Sequence, residues 1–298
     1  PISKVEATRS YGAEICLVPG VYDDAYNRAL QLKDEKGMTF VHPFDNPLVI
    51  AGQGTIALEI LDDMPNVDSI IVPVGGGGLI SGVAYTAKQL NPNIKVYGVQ
   101  AEGAPSMVQS IEHGTIERLS SVSTIADGIA VKEPGVHTFE YCQRYVDKIV
   151  TVSEDEISAA ILHLLEKHKL IAEGAGAVSV AAAMFGKVPV EGKRTVCLVS
   201  GGNIDVTFLS RIISRGLMKS GRECTLVLQL TDKPGQLNQV THVLAATGAN
   251  VISVLHERTA SAANVNSCLL RVSMETRNNE HIEQIRQALQ EQGISIVE

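Results

Sequence analysis

Short apolar runs alternate with amphipathic segments through the first two thirds of the chain. The runs are rich in β-branched residues and are mostly apolar throughout, without an alternation of apolar and polar positions. Continuous apolar strands separated by helices are typical of a parallel sheet covered on both faces. The pattern predicts a doubly wound α/β domain with strands at residues 15–19, 39–43, 69–74, 95–100, 148–153 and 195–200.

The segments between these runs have the spacing of amphipathic helices. We predict helices over residues 51–62, 79–90 and 155–169, each with an apolar stripe on one side. Before the third helix, Ser153 and Glu156 stand at the spacing of a capping box, in which each side chain binds the other residue's backbone amide.

The pattern changes after residues 215–222, which are rich in Gly, Ser and basic side chains and predict a linker. The order of elements that follows is βαββαβ, which is the ferredoxin-like pattern. We therefore expect two domains, residues 1–221 and 222–298. The predicted elements of the second are strand 225–230, helix 234–247, strands 251–257 and 267–274, helix 280–292 and strand 294–297.

Composition narrows the classes of protein that fit. Apolar residues make up 45% and charged residues 19%, as in soluble proteins with a sizeable core, and aromatics make up 4%, so the core is expected to be aliphatic. The net charge of −8 and the absence of a basic stripe argue against nucleic-acid binding. No apolar run reaches the roughly 20 residues that cross a bilayer, and the first residues lack a signal-peptide core.

The five cysteines lie far apart and form no CxxC pair. We expect them to be small buried hydrophobic residues of a protein in the reducing cytoplasm.

The clearest candidate for chemistry is a run of four glycines. Gly75, Gly76, Gly77 and Gly78 follow a predicted buried strand and precede a predicted helix. Glycines allow successive backbone amides to point at one position, and the helix N-terminus adds a favourable dipole, so this geometry suits a phosphate. A close-packed strand-to-helix turn is the structural alternative.

The type of phosphate follows from what surrounds the glycines. A P-loop requires Lys after its last glycine, but Val83 follows Gly82. A dinucleotide-binding fingerprint would place its third small residue at Ile80 or Ser81, and neither position fits well. A cofactor with a single phosphate fits better than a nucleotide.

Two more polar positions accompany glycine-rich turns. Ser200 ends a predicted strand, where open α/β sheets bind ligands, although it could simply cap a turn. Glu173, in a second glycine-rich turn, could complement a helix dipole rather than take part in catalysis. A third turn contains Gly128. His42, after a predicted strand, has a structural role as its simplest interpretation.

Together these segments resemble the fold-type II pyridoxal-phosphate enzymes, whose fold is that of the tryptophan synthase β subunit, and specifically the threonine dehydratases, or threonine ammonia-lyases. The resemblance covers the chain to about residue 215, in the order that the family has. The segments that carry it are residues 42–45, 50–55, 73–79, 124–128, 172–177 and 200–203.

The resemblance implies a cofactor, pyridoxal 5'-phosphate, and a reaction. L-threonine would lose its α-proton and its β-hydroxyl to give 2-oxobutanoate and ammonia, and L-serine would give pyruvate. At the cofactor's pyridine nitrogen, Ser200 would offer a neutral hydroxyl, which makes the ring a weaker electron sink and suits β-elimination. The residues that the resemblance places around the cofactor are Gly75, Gly76, Gly77, Gly78, Leu79, Gly128, Glu173 and Ser200.

The segment at residues 230–237 resembles an ACT domain, a small regulatory module that binds amino acids or other small effectors. We expect the loop at residues 231–237 and the turn at residues 248–250 to face an effector pocket at an interface between domains or between subunits. The identity of the effector and the sign of its action stay open, and a homodimer or homotetramer is expected. The expected effector residues are Asp232, Pro234, Gly235, Leu237 and Asn250.

Two features depart from the family pattern. The family forms a Schiff base between the cofactor and a lysine in a Ser-x-Lys-x-Arg-Gly motif, and no lysine of this chain has that context. The Ser-Gly-Asn-His loop for the substrate carboxylate is also absent, so the chain is expected to lack the N-terminal part of a dehydratase. Serine racemases carry cation-binding carboxylates at positions that match Gln100, Ala104 and Ser106, so no metal site is expected here, although Glu102 could offer one ligand.

Three functions remain in competition. The first is an allosterically regulated threonine dehydratase, which the intact glycine-rich turns favour. The second is an inactive fragment or paralogue whose ACT domain binds an effector and mediates oligomerisation, which the missing lysine favours. The third, chemistry like that of cysteine synthase or of the tryptophan synthase β subunit, is opposed by the segments at residues 124–128 and 200–203 and by the ACT-like tail.

Overall fold

The structure, a computed structural model, describes residues 2–20, 22–258 and 266–297. The chain divides into two compact units, Pro1–Val206 and Thr207–Glu298. The division comes earlier in the chain than the expected boundary at residue 221, and each unit has a hydrophobic core of its own.

The first unit contains a four-stranded parallel sheet in the order β3-β2-β1-β4. Four of the strands expected in this unit are present, three with shifts of one residue at their ends, whereas the strand expected over residues 195–200 ends at Cys197. They are β1 (Ser69–Pro73), β2 (Lys95–Ala101), β3 (Lys148–Val152) and β4 (Thr195–Cys197).

Eight helices accompany this sheet in the described part of the unit: α1 (Ile2–Ser10), α2 (Tyr22–Lys36), α3 (Pro47–Asp63), α4 (Gly78–Leu90), α5 (Ser106–His113), α6 (Val136–Tyr145), α7 (Glu154–His163) and α8 (Gly174–Met184). From β1 to β3 the chain moves in one direction across the sheet, and it then returns to place β4 on the other side of β1. Since such crossovers are right-handed, α4 to α6 cover one face and α7 and α8 the other. The doubly wound prediction is confirmed.

The sheet is buried at its centre, as the continuous apolar runs predict. Every residue of β1 is buried, whereas β3 and β4, at the two edges, are half-buried. The core packed on β1 is mostly aliphatic, with Phe139 as the one aromatic residue of its buried cluster, which agrees with the scarcity of aromatic residues.

Two of the predicted strands do not form. Residues 15–19 and 39–43 have neither strand nor helix geometry. A strand needs a neighbour for its backbone amides and carbonyls, and within the described residues no strand lies beside either segment. Apolar, β-branched composition alone is therefore an insufficient signal here.

The predicted helix over residues 155–169 begins as expected but ends differently. Both hydrogen bonds of the capping box are present: the Ser153 amide donates to Glu156 Oε2 at 2.8 Å, and the Glu156 amide donates to Ser153 Oγ at 3.3 Å. After His163 the helix widens into a π-helical stretch over residues 164–168. Lys169 then ends it in a left-handed conformation with φ of 59°.

The second unit is an antiparallel sheet in the order β6-β7-β5-β8 with two helices, which confirms the ferredoxin-like βαββαβ pattern. The helix α9 (Val206–Lys219) precedes it and includes most of the expected linker, because a single glycine within a run of helix-forming residues does not stop a helix. The elements of the pattern are β5 (Glu223–Thr231), α10 (Gln236–Thr247), β6 (Asn250–Glu257), β7 (Ser267–Glu275), α11 (Asn279–Glu291) and β8 (Ser295–Ile296).

All five cysteines are free. Cys142 and Cys268 are buried and two others half-buried, but Cys16 is exposed, so the expectation of five buried cysteines is wrong for that residue. Among the described residues, no helix is long and apolar enough to cross a membrane.

Candidate active site

The strand order of the first unit creates a crevice at the carboxyl ends of β1 and β4. From β1 the chain proceeds to β2 on one side, while β4 lies on the other. This reversal is a topological switch point, where open α/β sheets bind their ligands. The glycine run follows β1 and Ser200 follows β4, so both sequence candidates lie at this crevice.

The glycine run leads directly into the N-terminus of α4. Gly77 is the N-cap residue, in a left-handed conformation with φ of 97°, and no side chain caps the helix. The amides of the first helical turn have no intrahelical acceptor, since the first such bond runs from the Ser81 amide to the Gly77 carbonyl at 3.0 Å. These amides and the helix dipole together suit an anion.

The glycines are required because other parts of the chain stand directly behind the loop. A Cβ on Gly78 would lie 2.8 Å from Cα of Phe44, and a Cβ on Gly77 would lie 2.8 Å from Cβ of Thr138. A Cβ on Gly75 would lie 3.1 Å from Cα of Ile129. The loop is therefore held against backbone that cannot easily give way.

Thr138 also fixes the loop by a hydrogen bond. Its Oγ1, fully buried, donates to the Gly76 carbonyl at 2.5 Å. That carbonyl also accepts from the Gly135 amide at 3.3 Å. The run of glycines is thus ordered by the start of α6 as well as by α4.

The opposite wall is built around Glu173, the N-cap residue of α8. Its side chain does not cap its own helix. Instead Glu173 Oε2 accepts from the Asn203 amide at 3.0 Å, and the Glu173 amide donates to the Gly201 carbonyl at 3.1 Å. Gly128 lies on the other side, where a Cβ would come within 3.3 Å of Glu173 Oε1. The carboxylate is therefore hydrogen-bonded to the loop after β4 and lies close to Gly128.

These walls enclose a cavity of about 500 Å³, a size common for small-molecule sites. All eight residues expected around the cofactor line it, together with Gln53 and Asp127, which the sequence did not single out. None of the described residues that line it is a lysine.

Sequence reasoning missed the residues that support the glycine loop from behind. His42 was given a structural role without any partner, and the rest of the segment from His42 to Asp45 was recognised only as part of a resemblance. His42 Nδ1 accepts from the Asp45 amide at 2.8 Å and from the Phe44 amide at 3.2 Å. Burial lowers the pKa of His42, against an opposing effect of Asp45. An imidazole beside an aspartate and a phenylalanine, in a chain with few aromatics, was the only available signal.

Asp45 in turn holds α6. Its carboxylate accepts from the amides of Val136 and His137, both at 3.0 Å, and of Thr138 at 3.3 Å. The N-cap residue of α6, Gly135, has no side chain to do this.

A second cavity, of about 420 Å³, lies in the second unit at the end of β5. Asp232, Pro234, Gly235 and Leu237 line it, as expected. Asn250 does not. It lies at the other end of the sheet, where its Nδ2 donates to Glu275 Oε2 at 2.7 Å, so within one chain it does not share this cavity with the loop, and a pocket between subunits stays a prediction.

The positions that match the racemase cation site carry no carboxylate. Gln100 and Ser106 are fully buried, and Gln100 Oε1 accepts from the Val108 amide at 3.0 Å. Glu102 is exposed.

Residues 1–201 match the family described as "Pyridoxal-phosphate dependent enzyme", and the chain belongs to that family. Its cofactor is pyridoxal phosphate.

Individual proteins of known sequence or structure are also similar to this chain. The chain is 48% identical to the L-threonine ammonia-lyase of Thermotoga maritima over 296 residues, which are 99% of this chain and 74% of that protein. The structure of processed threonine deaminase isoform 2 from Solanum lycopersicum has a TM-score of 0.68 and 40% identity, and the match covers 72% of this chain and 60% of that one. Maize serine racemase has a TM-score of 0.67 and 35% identity, with 74% and 68% covered.

The cavity fits the family's cofactor. Uncapped amides at the N-terminus of α4 suit a phosphate, and the glycines that present them leave no side chain in the way. Ser200, on the loop after β4, also lines the cavity and offers a hydroxyl that can donate or accept one hydrogen bond.

Proposed function

We propose that this chain carries the cofactor site of a threonine ammonia-lyase, which converts L-threonine to 2-oxobutanoate and ammonia and L-serine to pyruvate and ammonia. The observation that carries the proposal is the cavity at the switch point, where a glycine loop and an uncapped helix N-terminus face Ser200. The relatives named threonine ammonia-lyase support it, since their similarity extends over nearly the whole chain.

Each wall of the cavity has a distinct task. The amides of residues 75–79 would bind the phosphate and so fix one end of the cofactor. Ser200 would form a hydrogen bond with the pyridine nitrogen, and Glu173 and Gly128 would lie beside the ring. When bound, the cofactor withdraws electrons from the α-carbon of the substrate, which lets the α-proton and then the β-hydroxyl leave.

The hydroxyl of Ser200 matters because it is neutral. A carboxylate at this position would favour a protonated pyridine nitrogen and a stronger electron sink. A hydroxyl does not impose a charge on the ring, and this suits an elimination in which the β-hydroxyl leaves promptly. The inactive alternative is less favoured, because it does not require the intact cradle of glycines and amides.

The first test is cofactor binding by the purified chain. The chain is titrated with pyridoxal phosphate, and the absorbance of the cofactor reports binding. We expect saturable binding that Gly77→Ala weakens by at least about fivefold, because an alanine at a φ of 97° costs about 1–2 kcal/mol and the loop must shift to relieve it. Gly52→Ala is the matched control: Gly52 lies on α3 with nothing within 4 Å of an added Cβ, so its affinity should stay that of the wild type.

Borohydride reduction and mass spectrometry then show whether a lysine is joined to the cofactor. Since no lysine lines the cavity among the described residues, we expect bound cofactor without a lysine adduct. Turnover is measured on the protein translated from the complete coding sequence, as 2-oxobutanoate formed from L-threonine. Failure of the chain to bind the cofactor, or an absence of 2-oxobutanoate, would overturn the proposal.

We further propose that the second unit is an ACT regulatory domain and that the protein is a homodimer or homotetramer. The ferredoxin-like topology and the cavity lined by Asp232, Pro234, Gly235 and Leu237 support the first point. The edge strand β6 supports an oligomer, because Ile252 and Leu255 on it are about half exposed, and exposed apolar edge strands are commonly covered by a partner.

The five unpaired cysteines support a cytoplasmic location.

Effector binding is tested by calorimetry with isoleucine, valine and nucleotides on the full chain. Asp232→Ala should weaken the binding of whichever ligand is found, because Asp232 lines the cavity. Asn250→Ala should leave it unchanged, because Asn250 lies at the other end of the sheet. Equal affinities in the wild type and Asp232→Ala would show that the effector binds elsewhere.

A further inference from the structure

Three side chains that can ligate a metal converge at one end of the second unit. Asp232 follows β5, His256 lies on β6 and Cys268 lies on β7, and their ligand atoms all lie within 4.8 Å of one another. Among the described residues this is the only such group of three or more metal-ligating side chains.

The strand register explains the convergence. Cys268 on β7 stands opposite Leu230 on β5, and His256 on β6 stands opposite Leu270 on β7. Residues two apart on a strand share a face, so Cys268 and Leu270 lie on the same side of the sheet, and His256 with them. Asp232, two residues beyond Leu230, continues that side into the loop, where its amide donates to the Asn266 carbonyl at 3.1 Å.

The three ligands define a class of ion. A cysteine sulfur and an imidazole favour zinc and similar borderline-soft divalent ions, whereas calcium and magnesium prefer oxygen ligands alone. Zinc takes four ligands, and sites with three protein ligands leave the fourth for water or another molecule. All three side chains line the cavity of about 420 Å³, so a fourth ligand can reach the ion from there.

The surroundings are compatible with a cation. Arg258 forms an ion pair with Asp232, with Nη2 3.4 Å from Oδ1. A carboxylate has two oxygens, so one can stay with Arg258 while the other ligates the ion, and such an outer partner orients the ligand. Cys268 is buried, and its Sγ makes only a weak hydrogen bond with the Leu230 carbonyl at 3.7 Å. Little hydrogen-bond energy is therefore lost when the sulfur coordinates a metal ion instead.

We propose that Asp232, His256 and Cys268 bind one zinc-class divalent ion, whose fourth position opens into the cavity of the second unit. An α-amino acid chelates such ions through its amine and carboxylate, so this ion would recruit small ligands of that class to the cavity. The proposal concerns the second unit alone and does not depend on the reaction proposed for the first.

Cobalt(II) is the probe for the test, because cobalt bound to a thiolate gives a charge-transfer band in the near ultraviolet. The full chain is freed of metal by dialysis against a chelator and titrated with cobalt(II), and difference spectra remove any contribution of the cofactor. We expect one cobalt ion per chain with a thiolate band. Cys268→Ser should abolish the band, and His256→Gln should weaken binding at least about tenfold, since even the loss of an outer-shell partner can have that effect.

The matched controls are Cys224→Ser and His242→Gln, which change a cysteine and a histidine of the same unit that lie outside the cluster. Both should bind cobalt as the wild type does. If Cys268→Ser does not fold, His256→Gln decides the matter, because His256 is exposed and its replacement leaves the core intact. An absence of the band, or a band equally strong in the cluster variants, would overturn the proposal. Either result would leave cofactor binding by the first unit unaffected.

Discussion

At the scale of single residues, the cofactor site depends on what stands behind the glycines as much as on the glycines themselves. A phosphate cradle can be expected from four glycines between a strand and a helix, and the eight expected residues do line one cavity. Phe44 and Thr138, which press against the loop, come from segments far away in the sequence. No local pattern marks such contacts, so these residues could not have been assigned from the sequence.

His42 illustrates the same point and gives a test by pH. Its Nδ1 accepts two backbone amides, which requires a neutral ring, and burial lowers its pKa from the ordinary 6.5, against an opposing effect of Asp45. Below about pH 6.5 the unfolded chain therefore takes up a proton that the folded chain does not. The contribution of His42 to the free energy of unfolding is intact above that pH and falls as the pH drops towards the folded pKa.

His42→Asn separates this effect from the other histidines, because an asparagine oxygen can accept in place of Nδ1 but does not titrate. Urea denaturation at pH 7.5, 6.5 and 5.5 should show the wild type losing more stability than the variant on acidification. Parallel pH profiles for the two proteins would contradict a neutral His42. The lost ring contacts with Tyr26, Phe40 and Phe44 affect the variant equally at every pH and do not alter this comparison.

At the scale of elements, the central strands were predictable and the flanking segments were not. The strand β1 is buried on both faces, so its sequence had to be apolar except for Ser69, whose hydroxyl is hydrogen-bonded to Thr195. Residues 15–19 have similar composition but no neighbouring strand among the described residues, and composition does not report pairing. The start of α7 was predictable because a capping box is local, whereas its widening after His163 has no comparable signal.

The start of α6 shows that a helix can be capped by a distant segment. Asp45 accepts three amides of its first turn, and its negative charge also complements the helix dipole. We expect Asp45→Ala to lower the free energy of unfolding by about 1–2 kcal/mol, as the loss of an N-cap does. Chemical denaturation measures this change.

Cofactor affinity should fall in the same variant, because Thr138 at the start of α6 holds the glycine loop. Asp45→Asn keeps one oxygen acceptor and should lose less stability than Asp45→Ala. Asp34→Ala, which removes an exposed aspartate of α2, should change stability by no more than about 0.5 kcal/mol. If the two alanine variants were equally stable, the assigned role of Asp45 would be wrong.

At the scale of the whole molecule, the two units are distinguished by their cores. The second core consists of residues between 224 and 296, from both helices of the pattern and the face of the sheet beneath them. The expected boundary at residue 221 lies just before this core, whereas the compact unit begins at Thr207 and includes α9. The glycine and serine content of the sequence indicated the limit at residue 221. The limit at Thr207 could not be predicted in this way, because α9 continues through a glycine.

Because the second unit has a core of its own, we predict that residues 220–298 fold without the rest of the chain. The fragment should unfold cooperatively in urea, as measured by circular dichroism. Shortening this fragment to residues 222–298 should cost about 1–3 kcal/mol, the usual cost of an unsatisfied buried group. The reason is Thr276, which is buried and whose Oγ1 donates to the Gly221 carbonyl at 2.6 Å. The shorter fragment loses that acceptor but keeps the Arg222 carbonyl, which accepts from the Thr276 amide at 2.9 Å.

Thr276→Val in both fragments completes the comparison. Valine has nearly the same shape as threonine but no hydroxyl, so the difference in stability between the two fragments should shrink when Thr276 is replaced. The difference that remains measures every other contribution of Ser220 and Gly221. An undiminished difference would show that the hydroxyl is not what ties the start of β5 to the end of β7. A longer fragment that does not unfold cooperatively would show instead that the core of the second unit needs residues before 220.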